Sequence, residues 1–335
     1  MAKSGTALIP PTWYGSGKIY VLVRSRSGSK DAHWIVLRFY LWLDILEVTA
    51  TPQHGKPTHH ANAALASGDL MNADERTDFA IDLARRAGAL AMQYYRRLDT
   101  ITIESKGHHD LVSEADRRVE RFVRSELARY FPQDGIVGEE QAPTAGQSDY
   151  VWVIDPIDGT ANYVRGIPQW CVIIACCRRG IAEIGVIHEP VSNETFHAFK
   201  QGGTFLNGIA ISASSAKSLA DGVVGLDYCR HKDVANVLPL ISGILGNGGA
   251  FYRSGSGGLN LAYVASGRLI GYVEEHMNAW DCVAGLLLIE EAGGEILQPD
   301  AQNVLQQGAV VVAAGKGVYG ELYRICENPF SLLPR

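Results

Sequence analysis

Residues Trp152 to Pro168 read WVIDPIDGTANYVRGIP. Val151 to Ile154 is an unbroken apolar run, which predicts a strand buried on both faces. Asp155-Pro156 stops it, because proline cannot donate to a sheet ladder. Asp155 therefore leaves the core at its edge, and Asp158 follows within one turn. Two carboxylates so close repel unless one is protonated or a cation lies between them. A hard divalent cation accepts such oxygens, together with the peptide carbonyl of Ile157, in octahedral geometry. The segment has no histidine or thiol, which argues against zinc. Gly159 allows close backbone approach, and the N–H groups from Thr160 onward open a helix start through Ala161-Asn162-Tyr163. Free N–H groups at such a start bind phosphate oxygens. One short segment thus offers places for a cation and a phosphate.

Three other segments put a carboxylate where a strand ends or a helix begins: Asp110-Leu-Val-Ser-Glu-Ala-Asp116, Gly138-Glu139-Glu140 and Trp280-Asp281. Taken singly, Asp116 and Asp281 read as helix N-caps and Glu139-Glu140 as a solvated loop. Other chemistries lack their signatures. Gly255-Ser-Gly-Gly258 does not have the spacing of a P-loop, and no G-x-S-x-G marks a serine hydrolase.

Outward from this region, the chain reads as globular. Of 335 residues, 47% are hydrophobic and 20% charged, which excludes disordered, collagenous and coiled-coil classes. A net charge of −6 gives no basic footprint for nucleic acid. Six cysteines without a paired C-x-x-C read as reduced, buried thiols, so a cytoplasmic location is expected. No apolar run reaches the roughly 18 residues of a membrane span. The best, Ile35 to Val48, is interrupted by Arg38, Asp44 and Glu47, and no signal peptide is visible.

The two ends of the chain differ. Residues 1–70 carry seven Lys+Arg against four Asp+Glu, hold Trp13, Trp34 and Trp42, and have no clear period. They are expected to be a poorly ordered extension, either a genuine appendage or upstream sequence read from a wrongly chosen start. The compact domain is expected over 71–335. Asp74 or Thr77 caps a first helix running to Arg97, with Phe79, Leu83, Ala87, Leu90, Ala91 and Tyr94 at helical spacing. A strand over 101–104, a loop at Lys106-Gly-His-His109 and a second helix opened by Asp116 follow. Strands are predicted over 136–137, 171–177, 181–188, 195–199, 223–226, 270–273 and 310–313. A Gly-rich helix precedes 270, and another helix spans 281–292. Helices and strands alternate without a regular βαβ beat, which favours an α/β sandwich with layered, mixed sheets.

The four acidic segments together resemble the motifs of the inositol monophosphatase family, in the family's order and across most of 74–320; nothing in 1–70 matches. The resemblance implies a five-layered αβαβα sandwich, magnesium-dependent hydrolysis of a small-molecule phosphate monoester, lithium sensitivity and a homodimer. It implies that Glu139, Asp155 and the carbonyl of Ile157 hold one Mg2+, that Asp155, Asp158 and Asp281 hold a second, and that a third shares Glu139 with waters. Glu139 and Thr160 would orient the attacking water, with Asp116 bonded to Thr160. Asp158, Gly159 and Thr160 would meet the phosphate, and Glu274 the hydroxyls of inositol. Asn278 stands where the animal enzymes commonly have histidine, so the alcohol side matches less closely than the metal side. Alternatives within the same chemistry are a 3′-phosphoadenosine 5′-phosphate nucleotidase, a fructose-1,6-bisphosphatase and a histidinol-phosphate phosphatase. Ala161-Asn162-Tyr163 favours the inositol type. An alternative of another class is a regulatory binding role that needs no catalysis.

Overall fold

The computed structural model describes residues 18–24, 34–40, 49–53, 73–100, 103–107, 110–229 and 232–333. The chain divides into two units, Met1–Asp69 and Leu70–Arg335. In the first, β1 (Lys18–Arg24), β2 (Trp34–Tyr40) and β3 (Thr49–Gln53) form an antiparallel sheet in the order β1-β2-β3, with Val21 opposite Leu37 and Val36 opposite Thr51. That stretch carries no hydrophobic period, because β2 is apolar at nearly every position. Its β-branched and aromatic residues nevertheless suit a strand. Trp13 and Trp42 lie outside the described residues.

The second unit opens with α1 (Ala73–Tyr95), so Asp74 and Thr77 lie within the helix rather than capping it. Next come a hairpin of β4 (Ile103–Gly107) and β5 (Asp110–Ser113), then α2 (Glu114–Tyr130). His108 and His109, expected in a loop, lie outside the described residues. A seven-stranded sheet follows: β6 (Gly135–Gly138), β7 (Tyr150–Asp158), β8 (Cys171–Arg178), β9 (Ile181–Glu189), β10 (Glu194–Phe199), β11 (Gly203–Leu206) and β12 (Ile209–Ile211). The strands lie in sequence order, antiparallel throughout except that β6 and β7 are parallel. A one-turn helix, α3 (Thr160–Tyr163), sits between β7 and β8.

The C-terminal half adds β13 (Val223–Leu226), α4 (Val237–Gly246), β14 (Ala250–Tyr252), α5 (Gly257–Ala265), β15 (Gly271–Met277), α6 (Ala279–Glu291), β16 (Glu295–Ile296), α7 (Val304–Gln307), β17 (Ala309–Ala314) and α8 (Lys316–Cys326). Its five strands run β14-β13-β15-β17-β16. Helices α4 and α8 are not among the elements predicted from the sequence. In α4, VLPLISGILG has no polar face to give a period, and Leu238 and Leu245 remain exposed.

Three apolar cores separate the layers. Leu83, Ala87 and Ala91 of α1 and Val119, Val123 and Leu127 of α2 pack on Trp152, Ile154 and Ile174 of the large sheet. On its other face, Val153, Ile173 and Ile187 meet Leu259 and Leu261 of α5 and Leu287 and Leu288 of α6, with Tyr272 and Val311 of the small sheet. Beyond the small sheet, Val224 and Val312 pack on Leu240 of α4 and Val318 and Leu322 of α8. The unit Leu70–Arg335 is the αβαβα sandwich expected. A buried carboxylate pins the first layer: Asp134 accepts from Arg76 Nη1 at 2.5 Å, Trp152 Nε1 at 2.9 Å and Ser148 Oγ at 2.6 Å.

Candidate active site

The site forms at the end of β7, which does not stop at Asp155 as the proline suggested. Asp155 lies opposite Ile173 and Asp158 opposite Cys171, so three steps on β7 face two on β8. That extra residue is a β-bulge. In a regular strand residues three apart point to opposite faces; the bulge restores the parity and brings both carboxylates to one face. Pro156 sits inside the bulge, where a missing N–H costs no ladder bond. Ile157, between them, is buried in the core toward α1 and α2.

Asp281 of α6 joins the pair, and ligand oxygens of Asp155, Asp158 and Asp281 lie within 4.8 Å of one another. Each carboxylate has one oxygen fixed by the protein. Asp158 Oδ2 accepts from Ser256 Oγ at 2.5 Å, Gly258 N at 2.8 Å and Cys171 Sγ at 3.4 Å. Asp281 Oδ2 accepts from Asn278 N and Nδ2, both at 3.1 Å. Asp155 Oδ1 accepts from Ile157 N at 2.9 Å. Asp155 and Asp281 also meet each other side chain to side chain, a contact between two acids that a shared cation would replace.

Electrostatics favour such a cation. Burial holds the Asp155 carboxyl well above the usual range, and the charges of Glu139, Asp158 and Asp281 push the same way. Asp281 is raised to about 7 by burial and by Asp158. Burial also raises Asp158, against the donors Ser256, Gly258 and Cys171. An all-oxygen, buried, mutually repelling set fits a hard divalent ion.

The sign of the pH dependence follows. A carboxyl raised in the folded state contributes stability that is complete below its unfolded pKa and lost as pH rises through the folded value. In EDTA, the melting temperature should therefore fall between about pH 5 and pH 8, by several degrees. Saturating Mg2+ should flatten or reverse the slope. Differential scanning fluorimetry across that range checks this, and a melting temperature that rises with pH in EDTA would contradict it.

Asp116 and Asp281 occupy matching places. Neither is the N-cap that its sequence position suggested. Ser113 caps α2 and Asn278 caps α6, and the two aspartates stand at the third helical position, closing capping boxes. The S-x-x-D and N-x-x-D spacings carried that signal. Asp116 Oδ2 is taken by Ser113 N and Oγ, and Oδ1 accepts from Thr160 Oγ1 at 3.1 Å. Thr160 Oγ1 also lies 3.0 Å from the carbonyl of Ile157. Gly159, at φ 90°, makes the turn into α3; a Cβ there would meet the carbonyl of Gln169 at 2.9 Å. Asn162 Nδ2 reaches the carbonyls of Gln169 and Ser254, both at 2.8 Å, tying this turn to the loop that supplies Ser256.

Glu139 follows β6 and adds its charge to Asp155. On the opposite side, β15 is bulged between Glu274 and Met277. Glu274 is partly buried, and its Oε2 accepts from the buried Tyr272 Oη at 2.6 Å. Burial lifts its carboxyl well above the usual range; Asp227, Asp281 and Asp158 add to this. Asp227 pairs with Arg253 Nε at 2.9 Å and accepts from Gly255 N at 3.2 Å. Of Lys106 only the backbone is described. Ser256, Cys171 and Asp227 escaped the sequence reading: Ser256 lies 98 residues from the carboxylate it holds, and no local pattern marks it.

The model of the inositol monophosphatase family matches residues 72–328, so the chain belongs to that family. Among curated relatives it is 33% identical over 248 residues to the Nus factor SuhB of Haemophilus influenzae, covering 73% of this chain and 93% of that one. It is 34% identical over 255 residues to the inositol-1-monophosphatase of Mesorhizobium japonicum, covering 75% and 96%. Among solved structures, the Thermotoga maritima IMPase superposes with a TM-score of 0.67 at 31% identity, over 77% of this chain and 98% of that one. Among the described residues no helix is long and apolar enough to cross a membrane.

Proposed function

We propose that this member of the inositol monophosphatase family is a Mg2+-dependent phosphomonoesterase whose preferred substrate is an inositol monophosphate. The observation that carries the chemistry is the bulge in β7, which turns Asp155 and Asp158 to one face beside Asp281. Glu139, Asp155 and the Ile157 carbonyl would hold one ion, and Asp155, Asp158 and Asp281 a second. Bound there, the ions supply an activated water and charge stabilisation of the leaving oxygen. The protein's own part is positioning. Asp116 and the Ile157 carbonyl are both acceptors in reach of the Thr160 hydroxyl, and together they fix its place. Thr160 and Glu139 would orient the water, and the backbone N–H groups of Gly159 and Thr160 would meet the phosphoryl oxygens.

The alcohol side supports a single-phosphate polyol. Glu274 and the Arg253-paired Asp227 put carboxyl oxygens on that side, which suit hydroxyl donors better than a second phosphate of the kind found in fructose bisphosphate or phosphoadenosine phosphate. The same pair suits an amine, which keeps an amino-alcohol phosphate such as histidinol phosphate as a second reading. The curated relatives named Nus factor support a regulatory role beside catalysis, and the family resemblance a cytoplasmic homodimer.

A phosphate-release panel with inositol phosphate, histidinol phosphate, fructose bisphosphate and phosphoadenosine phosphate, with and without Mg2+, tests the reading. Release from inositol phosphate should lead, and only with Mg2+. We place all of this chemistry in 71–335, so a chain starting at Met71 should match the full chain in the same panel to within about twofold. An insoluble or inactive short chain would give residues 1–70 a structural part.

A further inference from the structure

A further buried carboxylate that contributes no ligand lies on α2. Glu120 is fully buried. Its Oε2 accepts from Glu140 N at 2.7 Å and its Oε1 from Gln141 N at 3.1 Å. Arg124, one turn later, donates Nε to Glu120 Oε1 at 2.7 Å and Nη2 to the Gln141 carbonyl at 3.0 Å. The charge is thus paired and its oxygens are occupied, the condition under which a carboxylate tolerates burial. The surroundings are shaped to admit it: a Cβ at Gly138 would stand 2.6 Å from Glu120 Oε1.

These bonds bracket Glu139. Its own N–H donates to the Ile154 carbonyl of β7 at 3.3 Å, and the next two N–H groups are held by Glu120. The residue is fastened to the sheet on one side and to α2 on the other. Asp116, Glu120 and Arg124 are spaced four apart and so share a face of the helix. Asp116 holds Thr160. A single rigid helix therefore sets the separation of the two turns that carry Glu139 and Thr160.

We infer that Glu120, backed by Arg124, is a positioning residue that holds the Glu139 carboxylate where it can take up a cation, and that α2 is the common frame for Glu139 and Thr160. This rests on the metal reading proposed above, and the test separates the two. Manganese(II) is titrated into the full chain without substrate and followed by electron paramagnetic resonance. Wild type should bind it; a wild type that binds none would overturn the metal reading itself. Glu120→Gln withdraws the charge and leaves one amide oxygen for two N–H groups. It should weaken the Glu139-dependent binding event about tenfold. The metal concentration for half-maximal phosphate release should rise in parallel, with kcat at saturating metal within about threefold of wild type. Glu126→Gln is the control, because Glu126, also on α2, pairs with Arg86 of α1 at 2.7 Å. It should leave manganese affinity within twofold. Should Glu120→Gln not fold, Arg124→Met carries the test with an expected loss of about threefold. Manganese affinity unchanged in a folded Glu120→Gln, or in Arg124→Met where that is the variant used, would overturn the inference, as would an equal loss in Glu126→Gln.

Discussion

Asp155→Asn should lower phosphate release by at least about three orders of magnitude at saturating Mg2+. Asp155 is the one carboxylate that the proposed arrangement shares between both ions, and metal charge stabilisation is worth several kcal/mol of the barrier. Removing a single preorganised donor at such a centre already costs about 100- to 1000-fold. Losing a shared ligand weakens two ions at once. The fold should survive, because Asn can still accept the Ile157 N–H that shapes the bulge. In EDTA the variant should melt higher than wild type near pH 8, because the buried Asp155 charge, which Glu139, Asp158 and Asp281 all repel, is gone. Turnover near wild type would remove Asp155 from the metal site. Lost turnover with lowered stability in EDTA would point instead to a collapsed bulge.

This pairing of lost activity with gained stability sets apart what the sequence could and could not convey. VWVI followed by Asp155 made the buried strand and its acidic edge legible, because apolar runs and breakers act locally. The bulge was not legible. Pro156 reads as a strand end, and only the pairing with β8 reveals that the strand runs on to Asp158. Asp116 and Asp281 were recognisable as helix-start residues but were placed one capping role too early. Their partners Ser113 and Asn278, three residues upstream, do the capping. Contacts that close over long separations left no trace. Ser256 on Asp158 and Asn162 on the Ser254 carbonyl bridge 98 and 92 residues, and both depend on the packing of α5 against the large sheet. Helix α4 failed for the opposite reason: a segment apolar on every side carries no periodic signal, and its assignment depends on the sheet it covers.

Glu274→Gln should reduce kcat/KM for inositol phosphate about ten- to a hundredfold and leave an aryl phosphate such as p-nitrophenyl phosphate nearly unchanged. Ions and backbone N–H groups grip only the phosphate, so they are common to every monoester. Discrimination must come from groups meeting the alcohol half, and the geometry narrows the field there. Tyr272 Oη occupies Glu274 Oε2, which fixes the carboxyl plane and leaves Oε1 to accept from a substrate hydroxyl. Each hydrogen bond to a charged group is worth about 1.5–3 kcal/mol, and a buried group left unpaired costs a similar amount. The amide of Gln can keep the Tyr272 bond through its oxygen only by presenting its NH2 to the substrate, a donor facing hydroxyls that were donating. The effect should therefore appear for polyols and not for a ring without hydroxyls. An amino-alcohol phosphate offers a sharper contrast, because it would lose a charge pair and not only a hydrogen bond. If Glu274→Gln harms that substrate more than inositol phosphate, the second reading gains and the polyol assignment falls. Equal losses on inositol phosphate and the aryl phosphate would place Glu274 among the residues that shape the metal site through Asp281 and Asp158, the carboxylates whose charges already reach it.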